Sequence, residues 1–121
     1  MAAESAPRKR WRFYRTDDGR EIVRDELEAL PRDARATLAE ALKRRERGQQ
    51  LRREEEHVRG RVHAVRVTVD GQEYRALYAT VAPHDEILLA VRVLAKTTRK
   101  LPKQEIDLAF QRLRTWEERS G

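Results

Sequence analysis

Two arginines flank a two-residue turn in this chain, and their spacing has chemical consequences. Asp70-Gly71 separates two runs of alternating residues, and glycine tolerates the positive φ that a type I′ hairpin turn demands. With Val69 paired to Gln72 across the turn, Arg66 falls directly opposite Arg75 and His63 opposite Tyr78. Like charges facing each other across strands repel by tenths of a kcal/mol up to about 1. Each arginine must therefore find a carboxylate, or the two must hold an anion between them. Glu73 lies on their face and is a ready internal partner, so both readings stay open from spacing alone. His63 falls on the opposite face by parity.

A second cationic cluster follows the last strand-like run. Lys96, Arg99 and Lys100 stand just ahead of Pro102, where a helix is expected to open. A strand end beside a helix start can grip phosphate through side chains and backbone N–H groups together. The plain alternative is a polar loop that happens to be basic. His57, His63 and His84 lack the spacing of metal ligands, and no metal site is expected. His63 could in principle shuttle protons near neutral pH. No phosphate-binding loop, nucleophile elbow or dinucleotide fingerprint is present, and no cofactor is expected.

These residues need a scaffold, and the rest of the chain spells one out. Residues 1–10 read as a flexible basic tail, and residues 11–121 as one domain. Trp11 to Tyr14 has the aromatic density of a first strand, and Asp17-Asp18-Gly19 is a turn. Val23, Leu27 and Leu30 share one helical face; Ala34, Leu38, Ala41 and Leu42 share another. Pro31 suits the start of that second helix, and Gly48 its stop. The charged run from Arg52 to His57 is expected to be a solvated loop.

Residues 62–69 and 73–81 should then form an antiparallel hairpin. Pro83 to Glu86 turns the chain, and Ile87 to Leu94 is the most buried-looking strand. Beyond Pro102, Ile106, Ala109, Phe110, Leu113 and Trp116 line one face of a last helix. Helices segregated from a run of strands define an α+β fold. A small antiparallel sheet is expected, packed against an N-terminal helical hairpin and a C-terminal helix.

Composition narrows the partners. The 121 residues include 27 Lys/Arg and 21 Asp/Glu, a net charge of +6. That surplus favours RNA, DNA or an acidic protein, through steering and counterion release. Arginine-rich proteins without such a partner are also common. Cysteine is absent, which excludes disulfides and thiolate metal sites. No apolar run approaches membrane-spanning length and no signal-peptide core is visible, so a cytoplasmic location without membrane contact is expected.

Several stretches, taken in order, resemble the phage-derived HigB-like branch of the RelE toxin superfamily. They are Trp11-Arg-Phe-Tyr14, the helical hairpin, Val-His-Ala-Val-Arg at 62–66, Tyr-Arg-Ala-Leu-Tyr at 74–78, and the run from Leu94 to Pro102. The resemblance spans about residues 11 to 118. It implies a RelE-like fold and the toxin of a type II toxin–antitoxin pair. Such a toxin acts on the ribosome as an mRNA endonuclease, using a ribose 2′-OH to attack the phosphodiester. It also implies a cognate antitoxin, a helix-turn-helix protein. By the same resemblance Arg66, Arg75 and Lys96 are the candidate catalytic residues. Arg99, Lys100, Tyr78 and His63 are the candidate RNA contacts. Ala64, Leu94 and Thr97 stand where the family commonly has glutamate, an aromatic residue and a second lysine. The rival reading is a catalytically degenerate RelE-fold module that only binds RNA or protein.

Overall fold

The computed structural model describes residues 9–81 and 83–120. The basic-tail assignment falls almost wholly on residues 1–8, outside the described residues. Lys9 donates to the Asp85 carbonyl at 2.7 Å, and the first strand, β1, begins at Arg10 and runs to Phe13. Helices α1 (Ile22–Glu28) and α2 (Arg32–Glu46) follow, then strands β2 (Glu55–Arg59), β3 (Val62–Val69), β4 (Gln72–Val81) and β5 (Ile87–Lys96). Helix α3 (Lys103–Ser120) closes the chain. The protein is α+β, and its described residues form a five-stranded sheet in the order β1-β5-β4-β3-β2.

The β3–β4 hairpin has the expected register. Asp70 (φ 52°) and Gly71 (φ 79°) occupy the left-handed region that a type I′ turn needs. Val69 pairs with Gln72, Arg66 with Arg75 and His63 with Tyr78. The helical faces also match the sequence pattern. Val23 and Leu27 of α1 are buried, as are Ala34, Leu38, Ala41 and Leu42 of α2 and Ile106, Ala109 and Leu113 of α3. Helix α2 meets the sheet face that carries Tyr78, whereas α3 reaches the face that carries Arg92.

Two expectations are corrected. The sheet is mixed, because β1 lies parallel to β5 while every other pairing is antiparallel. Leu88 to Val91 are fully buried, and such a strand requires neighbours on both edges and cover on both faces. The N-terminal strand supplies the missing edge. The charged run at 52–57 is not a solvated loop either. It holds a short 3-10 turn and then β2, and Glu54 within it is 4% exposed.

Strand β1 stops pairing at Ala90, which leaves the far end of β5 uncovered. Glu26 of α1 fills that gap. Its carboxylate accepts the Val93 N–H at 3.0 Å and meets Arg92 and Arg112 at 2.9 Å each. Arg112 also donates to the Val91 carbonyl at 2.8 Å, so one carboxylate ties α1, β5 and α3 together. The variant Glu26→Gln keeps an acceptor for Val93 but loses the charge. Urea unfolding is expected to show a loss of about 1.5–2 kcal/mol.

Candidate functional site

Three consecutive glutamates bring β2 and the turn before it into the sheet. Glu54 takes the Arg44 guanidinium through both oxygens. Glu55 accepts from the Tyr78 hydroxyl at 3.0 Å and pairs with Arg45 at 3.2 Å. Glu56 pairs with Arg75 at 2.6 Å. Each carboxylate thus answers a different arginine, which is why so charged a segment joins the structure.

On the other side of Arg75, Glu73 pairs with it at 2.9 Å. Arg75 is only 2% exposed, so its charge is enclosed and balanced by two carboxylates. Glu56 stands directly opposite Ala64 in the β2–β3 register. The carboxylate that position 64 lacks therefore reaches the same face from the neighbouring strand.

Glu73 sits at the centre of the expected cationic trio. The Arg75 hydrogen bond is the main influence holding its carboxyl below the ordinary value of 4.5, with Lys96 and Arg66 adding to the effect. Glu54 is held low in the same way, chiefly by its hydrogen bond from Arg44. A carboxyl with a depressed folded pKa adds stability above its unfolded pKa and loses it as pH falls through the folded value. Stability should be level from pH 7 to about 5 and fall below about 4.5. Urea midpoints followed with pH for Glu54→Gln and Glu73→Gln should show a shallower acid limb than the parent.

The other two cations face water more than Arg75 does. Arg66 is half-buried, and its Nε donates to the Arg53 carbonyl at 2.9 Å. It borders a cavity of about 320 Å³ beyond the end of β2, together with Thr37, Arg44, Arg53, Thr68 and Glu73. Lys96 lies 3.8 Å from Glu73 and donates to the Thr98 and Arg99 carbonyls at 2.7 Å each. This folds the 97–100 loop back over the strand end and leaves Arg99 and Lys100 exposed.

The model of the family described as phage derived protein Gp49-like (DUF891) matches residues 25–114. The chain belongs to this family. A protein described as "Probable endoribonuclease HigB1" is 28% identical to this Gp49-like chain over 112 residues. The match covers 92% of the chain and 87% of the relative, in Mycobacterium tuberculosis strains CDC 1551 / Oshkosh and ATCC 25618 / H37Rv alike. Both findings agree with the resemblance carried by the sequence motifs.

The Gp49-like chain places its remaining candidate residues on the opposite face of the sheet. His63 is half-buried, with its ring 5.0 Å from that of His57 and 6.0 Å from that of Tyr78. Tyr78 is 2% exposed, its ring packs T-shaped against that of Trp11 with centroids 5.2 Å apart, and its hydroxyl is committed to Glu55 and Arg45. Burial holds the Tyr78 hydroxyl above the ordinary value of 10.0. A ring so enclosed offers no free face for a base in this conformation. The structure therefore brings Arg66, Arg75 and Lys96 together and separates them from His63 and Tyr78. Glu54, Glu55 and Glu56 were missed as partners because no spacing rule links a charge run to arginines on distant elements.

Proposed function

We propose that this protein is the toxin of a type II toxin–antitoxin pair and cleaves mRNA on the ribosome. The carrying observation is the likeness to HigB1 over nearly the whole chain, in a protein whose sheet end gathers three cations. In the proposed reaction a ribose 2′ oxygen attacks the adjacent phosphorus and the bond to the 5′ oxygen breaks. The 2′ hydroxyl loses its proton and the departing 5′ oxygen gains one. A 2′,3′-cyclic phosphate and a 5′ hydroxyl remain. Negative charge grows on the phosphorus-bound oxygens, and preorganised cations stabilise that charge.

Within this reading Arg66 and Lys96 face the scissile phosphate, while Arg75 anchors Glu56 and Glu73 between them. Arg99 and Lys100 steer the RNA from the exposed loop, and a RelE-like fold carries the site. A cognate antitoxin restrains it. One observation favours the rival, binding-only reading: Arg75 spends its charge on two carboxylates.

Cleavage of a defined mRNA by the purified protein, with and without ribosomes, separates the two readings. The expected result is ribosome-dependent cuts whose upstream fragments end in cyclic phosphate. RNA binding without any cut at stoichiometric enzyme would establish the rival. Binding should weaken steeply as salt rises, since counterion release drives it, and Lys100→Ala should lower affinity without abolishing cleavage. An affinity that stays flat from low to moderate salt would count against the steering role.

A further inference from the structure

A second cavity lies away from the cationic trio, along the outer edge of β1. It encloses about 750 Å³, and its floor is the strand Arg10–Phe13 itself. One wall comes from α1 and α2 through Leu27 and Leu42, the other from the end of α3 through Trp116. Six exposed cations line it, Arg10, Arg12, Arg15, Arg24, Lys43 and Arg119. Glu21, the acidic residue of the lining, pairs with Arg15 and Arg24, while Asp17 pairs with Arg119 and Glu40 with Lys43, so among the described residues Arg10 and Arg12 carry the charge left over.

The floor is an edge strand with backbone groups turned outward. Arg10 and Tyr14 direct their N–H groups to carbonyls of Glu86 and Ala90 on the β5 side. Those of Trp11 and Phe13 consequently face away from the sheet. The Trp11 N–H is met by a carboxylate, Glu46 Oε2 at 3.3 Å. That of Phe13 has no partner among the described residues. The aromatic groups around this edge are held in place. Trp11 Nε1 donates to the Leu42 carbonyl at 2.7 Å, and the Arg24 guanidinium lies 5.0 Å from the Phe13 ring centre.

We infer that this groove binds an extended, acidic segment of a protein partner, added to β1 as a sixth strand of the sheet. Strand addition supplies backbone hydrogen bonds, alternate side chains of the incoming strand fill the apolar walls, and the cations select carboxylates. Bare charge would suit RNA as well. Outward amide groups between buried Leu27 and Leu42 suit a polypeptide better, because they match a peptide backbone's repeat. Taking the partner to be the antitoxin rests on the function proposed above; the groove and its chemistry do not.

The test uses the protein's own reporters. Both of its tryptophans, Trp11 and Trp116, line the groove, so intrinsic fluorescence reads its occupancy. The probe is a synthetic eight-residue peptide alternating glutamate with valine, compared with its lysine-for-glutamate counterpart and a single-stranded RNA octamer. A saturable change with the acidic peptide alone is expected. Arg12→Glu, on the exposed face of the edge strand, should weaken it by about tenfold or more at low salt. N-methylation along one edge of the peptide should abolish the change, and along the other edge leave it intact.

Equal response to both peptides, or indifference to N-methylation on both edges alike, would overturn strand addition. A response to the RNA octamer alone would make the groove an RNA surface. A fluorescence change that follows protein concentration alone would make it a contact between copies of the chain. None of these readouts depends on RNA cleavage, so an inactive protein that binds the peptide leaves this inference standing.

Discussion

Replacing Arg75 with alanine is expected to destabilise the protein by about 3 kcal/mol, the lower end of the range for breaking a buried ion pair. The guanidinium is enclosed on β4 and is the shared partner of Glu56 from β2 and Glu73 from β4 itself. Its removal leaves two carboxylates facing each other beside a cavity. Their side chains are 32% and 40% exposed, so water can reach them, which holds the loss below the upper end. The melting temperature should drop by on the order of 10 °C. The triple variant Arg75→Met, Glu56→Gln, Glu73→Gln should recover most of the loss, because it removes charge and countercharge together. Urea unfolding of the three proteins decides the matter. A loss under about 1 kcal/mol for Arg75→Ala would mean that β2 is not held by this pair. The result also governs how activity is read, since a cleavage defect in Arg75→Ala counts as catalytic only in protein shown to be folded.

Arg66→Ala is the cleaner probe of chemistry. Its guanidinium makes a hydrogen bond to the Arg53 carbonyl and borders an open cavity, so truncation should cost only about 1 kcal/mol of stability. If Arg66 meets the phosphate in the transition state, single-turnover cleavage of ribosome-bound mRNA should slow about a hundred- to thousandfold. Lys96→Ala should fall in the same range, with an added effect because Lys96 also secures the 97–100 loop. His63→Ala, altered on the opposite face, should stay within a few-fold of the parent. A fully active Arg66→Ala with a dead His63→Ala would move the site across the sheet to His57 and His63. The electrostatic mechanism would then give way to proton transfer by paired imidazoles.

The β3–β4 turn and the helical faces were legible in the sequence, whereas the 3-10 turn and β2 at 52–59 were not. The Asp70-Gly71 turn sets the β3–β4 register, and period two then places Arg66 and Arg75 on one face and His63 and Tyr78 on the other. The same is true of the helical faces, since Val23 and Leu27, or Ala34, Leu38 and Ala41, line up through a repeat internal to one element. Direction and distant pairing carry no such repeat. A four-residue strand alternates identically whether its neighbour runs parallel or antiparallel, so only the docking of β1 on β5 made the sheet mixed. Charge behaves in the same way. Glu54, Glu55 and Glu56 look solvated until folding brings Arg44, Arg45 and Arg75 to them from α2 and β4. That Arg75 is enclosed while Arg66 borders open space follows from how the strands assemble. Burial depends on which strand lies alongside, and β2 ends before it reaches the outer half of β3.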